Sequence, residues 1–296
     1  VALAGIPLRT AYVHCHFAEA AMFRLLVTVV LSLIAVSPVG ADTAREHPVL
    51  PALRLAYARL DAIEQQVSDY TCVLVKRELV GGRISAPQQM FVKLREEQVR
   101  GGRVVVPFSV YMRFLGPTDL KGREVLYVRG RNQGKIIAKK GGQRFAYFTT
   151  AIAPTSDLAM DGHRYPITEI GLRNLIGRLI EDGREVLSHP ECKVNYYVGA
   201  KINGRECTVI EVRHPVRRPG YRFQFARIFV DDQRQIPVRY AAYDWPAEQG
   251  GQPRLIEEYT YLDLKLNVGL SNWDFDHRNE SYGFRKDYDP NRPPKR

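Results

Sequence analysis

Residues 107–150 alternate apolar and polar positions so regularly that antiparallel sheet is the structure they fit. In Phe108-Ser109-Val110-Tyr111-Met112-Arg113-Phe114 one parity, Phe108, Val110, Met112 and Phe114, is wholly apolar, as a strand with one buried face requires. Gly116-Pro117 ends this strand. A second is expected over 123–131, the turn Asn132-Gln133-Gly134 reverses the chain, and 135–139 and 143–150, divided by Gly141-Gly142, complete a β-meander. Nothing in the run identifies a reaction.

The flanking segments add two helices and a second set of strands. Leu53, Ala56, Leu60, Ile63 and Val67 recur at three- and four-residue spacing, which predicts a helix over 51–67 with Pro51 in its first turn. Strands are expected at 70–78, 90–94 and 103–106. A second helix is predicted from Pro166 and Thr168 to Glu181, with Leu172, Leu175, Ile176, Leu179 and Ile180 on one side. Gly171 and Gly177 weaken it by about 1 kcal/mol each relative to alanine, so it depends on tertiary packing. Strands then follow at 193–199, 205–213, 221–230, 236–243 and 254–266, with Asn203-Gly204 as a hairpin turn and Asp231-Asp232-Gln233-Arg234 as a polar turn. With no tandem repeat and no long linker, the expected fold is α+β: one antiparallel sheet with both helices on the same face. The proline-rich, basic segment 285–296 is expected to be a flexible tail.

The N-terminus carries a targeting pattern. Met22-Phe23-Arg24, an apolar run from Leu25 to Val36 and the small-residue site Val39-Gly40-Ala41 form a secretory signal over 22–41, expected to be cleaved after Ala41. The run is shorter than the about 20 residues of a membrane span, so no transmembrane helix is expected after cleavage. Asp42 rather than cysteine follows the site, which argues against lipidation, and residues 1–21 read as an overextended start. The expected compartment is the periplasm or cell envelope.

With 45% hydrophobic and 25% charged residues among 296, the chain is globular rather than disordered. Removing residues 1–41 takes away Arg9, Arg24 and Glu19, leaving 41 − 31 = +10. The basic residues are scattered through strands and turns, without a dense tract or recognition helix, so a solvated surface is expected and no nucleic acid; an anionic envelope component is the other candidate partner for this charge. Cys72, Cys192 and Cys207 follow the signal, an odd number. Cys192 and Cys207 flank one hairpin, but if Asn203-Gly204 is its turn, Cys207 faces Ala200. A bridge between them needs a longer or bulged loop.

Candidate chemistry is sparse. G-x-S-x-G, H-E-x-x-H and C-x-x-C are missing, and Gly130 to Ile136 mimics a phosphate loop but reads better as a hairpin turn. Asp274-Phe275-Asp276-His277-Arg278 resembles the start of a calcium loop, yet Arg278 takes a ligand position and the required glycine is absent; turn capping explains it more simply. Asp157, Asp161 and His163 could act as acid/base partners or merely form a polar loop. His189, His214 and His277 have no ligand spacing. No metal or cofactor is expected, and the chain reads as non-enzymatic.

The segments Asp69-Tyr70-Thr71-Cys72, Phe108 to Pro117, Lys121 to Val128 and Glu258 to Leu270 resemble the exported bacterial family of unknown function DUF1571, over about residues 50–284. No catalytic residues are established in that family. At the level of element order the chain is also similar to the LolA/LolB lipoprotein carriers. That resemblance implies a single domain over 42–284: a curved antiparallel sheet of about nine to eleven strands, forming a half-open barrel whose concave face is covered by helices and receives acyl chains.

The expected function is therefore binding of a lipid or acylated partner in an apolar cleft between the sheet and the helices at 51–67 and 168–181. The expected lining residues are Phe108, Val110, Met112, Phe114, Leu172, Leu175 and Leu179, each of which equally suits a dry core. The competing expectation is a structural or interaction protein of the envelope whose basic surface binds an acidic polymer or protein.

Overall fold

The computed structural model describes residues 46–142, 148–189 and 191–292. The expected signal at 22–41, the start at 1–21 and most of the strand expected at 143–150 lie outside the described residues. Helix α1 (Leu50–Gln66) is followed by β1 (Asp69–Val80), β2 (Arg83–Ile84), β3 (Gln88–Arg95), β4 (Gln98–Arg100), β5 (Arg103–Val106), β6 (Ser109–Gly116), β7 (Glu124–Val128), β8 (Ile136–Lys139) and β9 (Thr149–Ile152). The short α2 (Asp157–Met160) and α3 (Leu172–Val186) lead to β10 (Lys193–Ile202), β11 (Arg205–Arg213), β12 (Phe225–Asp231), β13 (Pro237–Asp244) and β14 (Arg254–Leu266). No helix among the described residues is long and apolar enough to cross a membrane.

The strands form one antiparallel sheet in the order β10-β11-β12-β13-β14-β1-β3-β6-β7-β8-β9, with β2 added to β1 as a twelfth. Two meanders thus lie back to back, joined where β1 pairs with β14 from Tyr70 opposite Leu266 to Glu78 opposite Glu257. Bulges interrupt the register at Thr71/Val73, Gln89/Met90, Tyr197/Ala200, Phe229/Val230 and Ala242/Tyr243. Each bulge bends its strand and increases the local twist, so the sheet curves. The edge strands β9 and β10 do not pair with each other, and the barrel stays half open. The expected strand at 103–106 forms but does not join this sheet; it pairs with β4 in a separate hairpin.

The concave face carries the main core, in which Leu53 and Ile63 of α1 and Leu172, Ile176 and Ile180 of α3 meet Tyr70, Leu94, Val110, Val212 and Ala226 of the sheet. Gly183 sets the contact between the helices: a Cβ there would stand 2.7 Å from Leu53 Cδ2. The second helix differs from its prediction at both ends. A separate 3-10 turn occupies Ile167–Glu169, and Gly171, with φ 119°, is the N-cap of α3 rather than a residue of its interior. Its missing side chain matters, since a Cβ would lie 2.9 Å from Leu94 Cδ1 and 3.3 Å from the Tyr70 hydroxyl.

Strand β6 does not have a single buried face. Tyr111 is buried on the opposite parity, and every residue of β7 is buried. The cause is the C-terminal segment, which folds over the convex side so that Phe275, Tyr282 and Phe284 join Tyr111, Leu126, Val128 and Ile137 in a second cluster. Tyr282 stacks on Tyr111 at 3.8 Å, and both oxygens of the buried Glu124 carboxylate accept from Gly283 N. Lys286 Nζ donates to the Asn279 and Tyr282 carbonyls, so the segment expected as a tail begins with anchored residues.

Cys72, Cys192 and Cys207 are all free and buried. Asn203 and Gly204, with φ 51° and 76°, make the two-residue turn, and Cys207 stands opposite Ala200, which leaves no geometry for a bridge to Cys192.

The ends of β1 and β14 are locked by side chains. Asn267 accepts from Ser68 N at 2.8 Å and donates to the Gln66 carbonyl at 2.7 Å, closing the end of α1. Asp69, itself buried, accepts from Gly269 N at 3.1 Å and Leu270 N at 3.2 Å. Asp69→Ala strands these two amides, which costs about 2 kcal/mol and lowers the melting temperature by about 4–8 °C. Thermal unfolding of the variant checks this, and an unchanged midpoint contradicts the assigned role.

Candidate functional site

The inward parity of β1 reads Tyr70, Cys72, Leu74, Lys76 and Glu78: it starts apolar and ends charged. At that charged end the concave face is not filled. A cavity of about 600 Å³ opens there, floored by Leu74, Met90, Met112, Phe114, Val125, Ile136 and Ala138. Its cover is the largely irregular chain from Pro154 to Ile170, which includes α2, with Leu175 and Arg178 from the first turns of α3. Helix α1 takes no part. Where α1 and α3 lie on the sheet, the packing leaves a slot of only about 80 Å³. The cleft thus lies beside α1, between the sheet and a cover of irregular chain and the first turns of α3, rather than under both helices as the sequence suggests.

The cover is fastened to the sheet by a buried polar network. Lys76 Nζ donates to Glu78 Oε2 at 2.7 Å and to His163 Nδ1 at 2.8 Å, while the Tyr259 hydroxyl donates to Glu78 Oε1 at 2.6 Å. Arg164 of the cover gives its backbone N–H to Glu78 and its Nη1 to the Leu79 carbonyl, and its Nε lies 3.3 Å from Glu257. Tyr165 is sandwiched similarly: its hydroxyl reaches Glu257, Arg222 donates to it at 2.9 Å, and the Arg178 guanidinium lies over its ring at 3.5 Å. Arg222 also holds the buried Asp182 of α3 at 2.7 Å.

Electrostatics follow from this burial. Burial, with the neighbouring Lys76 ammonium, pushes His163 down to about 4; neutral at pH 7, its Nδ1 can accept the Lys76 proton. Burial opposes the charge on Lys76 and lowers its pKa, with Glu78 working against the shift. For Glu78 burial acts in the opposite sense, but Lys76 and the Tyr259 hydroxyl outweigh it and hold the carboxyl below its ordinary value. The four groups answer one another. Their arrangement works as a latch on the cover.

Of the residues expected to line the cleft, Met112, Phe114 and Leu175 face the cavity. Phe108, Val110 and Leu172 are buried outside it, Phe108 between the Tyr127 ring and the Arg129 guanidinium. Leu179 lines the small slot instead. Asp161 and His163 both reach the cavity, but Asp157 is exposed on α2, so the three are not brought together. The calcium-like stretch is consumed by local bonds: Asp274 takes Lys93 and Ser271, and Asp276 takes Arg278. Among the described residues no group of three His, Cys, Asp or Glu side chains is placed to hold a metal. Sequence reasoning missed Lys76, Glu78, Arg123 and Tyr259. The signal for the first two was legible, because charges on the buried parity of a strand need buried partners.

The family model for the protein of unknown function DUF1571 matches residues 67–284. The chain belongs to this family. Comparison with curated proteins finds no match. Similar solved structures include a DUF1329 family protein from Desulfovibrio piger (15% identity, 78% of this chain and 98% of that one, TM-score 0.36). A second is a lipoprotein-sorting protein domain from Vibrio parahaemolyticus (14%, 76% and 96%, 0.36), and a third the lipoprotein LppX of Mycobacterium tuberculosis (15%, 75% and 98%, 0.36).

The latch makes stability depend on pH. His163 has a folded pKa of about 4 against about 6.5 unfolded, so between these values the unfolded chain takes up a proton that the folded protein refuses. The stabilisation is complete above pH 6.5 and is lost as the pH falls toward 4, by about 2 kcal/mol at pH 5. His163→Gln keeps an acceptor for Lys76 and removes the titration. Urea unfolding at pH 7 and pH 5 should show wild type losing about 2 kcal/mol more than the variant; equal losses contradict the account. His214, also held near 4 by burial, contributes equally to both proteins.

Proposed function

We propose that the protein is a non-enzymatic, exported envelope protein that holds a lipid, or the acyl chain of an acylated partner, in the cavity under residues 154–170. The observation that carries this reading is the cavity itself, about 600 Å³ with a largely apolar lining, beside helices packed to within about 80 Å³. Protein interiors are normally close-packed, and an open cleft floored by leucine, methionine and phenylalanine side chains leaves apolar surface that a ligand of the same chemistry can cover. At about 30 Å³ per water-sized group, there is room for roughly twenty methylenes. Each methylene taken out of water returns about 0.8 kcal/mol. An acyl chain matches both the size and the chemistry.

Export rests on the signal pattern of residues 22–41, and places such a carrier where lipids must cross water. The alternative, a basic surface that binds an acidic polymer, has less support. Arg205, Arg213, Arg227 and Arg239 are held by Asp231, Glu211 and Glu258, so these four guanidinium groups on the sheet are already engaged within the protein.

Ala138 lines the cavity and is half-buried on β8, so Ala138→Trp fills the space without removing a core side chain. Wild type should take up a fluorescent polyene fatty acid saturably. The variant should lose most of that uptake while its melting temperature stays within about 2 °C of wild type. Absence of uptake by wild type would sink the carrier reading.

A further inference from the structure

The charged groups around the cavity are not alike. Lys76 is bonded to Glu78 and His163. Lys139 donates to the Gly122 carbonyl at 3.0 Å and lies 3.6 Å from Glu124; Arg178 holds Glu169 at 3.0 Å; Lys140 also has a partner. Arg123 lines the same cavity, yet among the described residues no carboxylate stands within ion-pair distance of it and no acceptor takes its guanidinium N–H groups. Its neighbour is the Phe114 ring, 5.5 Å away. Burial disfavours its charge, while Asp119 and Asp161 act on it only from longer range.

The backbone explains the placement. Phe114 N donates to the Arg123 carbonyl and Gly122 N to the Phe114 carbonyl, both at 2.9 Å, so Arg123 is the cross-strand neighbour of Phe114. The apolar floor ends at Phe114 and a half-desolvated positive charge begins beside it. An unpaired charge in such a place is costly. A guanidinium offers a planar fork of donors that fits two oxygens of a carboxylate or phosphate.

We propose that Arg123 receives the acid group, carboxylate or phosphate, of an anionic amphiphile whose hydrocarbon chain lies along Phe114, Met112 and Met90. This assignment rests on the carrier reading and specifies its ligand class. Lys76, Lys140 and Arg178 add positive potential around the site, and Glu78, Asp119, Asp161 and Glu169 subtract from it. The cavity therefore selects amphiphiles by head group as well as by chain.

Calorimetric titration with dodecanoate, dodecyl phosphate and dodecanol, all below their aggregation limits, tests the proposal, since the three share one chain. At least one of the two acids should bind about tenfold or more tightly than dodecanol. Arg123→Gln should erase that difference and leave dodecanol binding unchanged, which also shows that the variant is folded; Arg123→Lys should retain part of it. A preference confined to dodecanoate assigns a fatty-acid source, and one confined to dodecyl phosphate a phospholipid-type head group. Acids that bind no more tightly than dodecanol, or a preference that survives Arg123→Gln, overturn the head-group assignment alone. If none of the three binds wild type, the carrier reading fails and this assignment fails with it.

Discussion

The pairing of β1 with β14 is the constraint on which the rest of the structure depends. These strands come from opposite ends of the domain, and without their ladder the two meanders would be separate ribbons with no common concave face. Long-range pairing of this kind carries a loop-closure cost that local hairpins avoid. The chain offsets it with polar locks at one end of the ladder, where Asp69 holds the amides of Gly269 and Leu270 and Asn267 bridges to the end of α1. Several residues that carry the family resemblance are these locks. Their role is to hold the sheet together and to seat α1.

Uneven cover of that sheet creates the cavity. Helices α1 and α3 meet through Gly183 and Leu53 and pack down on the β10–β14 half, where the slot beneath them is small. The other half receives only the start of α3 and the chain from residue 154 to 170. Irregular chain with one short helix cannot present a continuous apolar stripe, and it leaves the floor of Met90, Met112, Phe114 and Ile136 only partly filled. The missing hydrophobic contact is replaced by the network of Lys76, Glu78, His163, Tyr259 and Glu257. The cover is therefore held to the sheet by hydrogen bonds and ion pairs, where the other half of the sheet is covered by packed helices.

The same division explains what could be read in the sequence. Strand periodicity and turn residues located the elements well: the predicted bounds of β11 and β14 coincide with those observed, and Asn203-Gly204 makes the expected turn. The second helix was misplaced because Gly171 looks like a weak interior residue when it is a cap whose missing Cβ admits Leu94 and Tyr70. The parity of Phe108, Val110, Met112 and Phe114 located the concave face correctly, yet only the last two meet the cavity. No periodicity separates a residue under a helix from one under a loop. Tyr111 and the all-buried β7 were unexpected because the segment that covers them is more than a hundred residues distant and its regular structure, among the described residues, is a single 3-10 turn, Asn272–Phe275.

The sequence by itself determined that this chain is an antiparallel sheet with two amphipathic helices, because side-chain alternation and helical spacing are local properties. It also determined the turns, where backbone conformation depends on asparagine and glycine. The tertiary structure decided which face of each strand is dry, where the helices stop short, and which charges meet. Lys76, His163 and Glu78 come from β1 and the distant cover, and the sheet places Arg123 where, among the described residues, no carboxylate pairs with it. These are relations between segments remote in sequence, fixed by packing and by the requirement that buried charge be paired, and no local pattern encodes them.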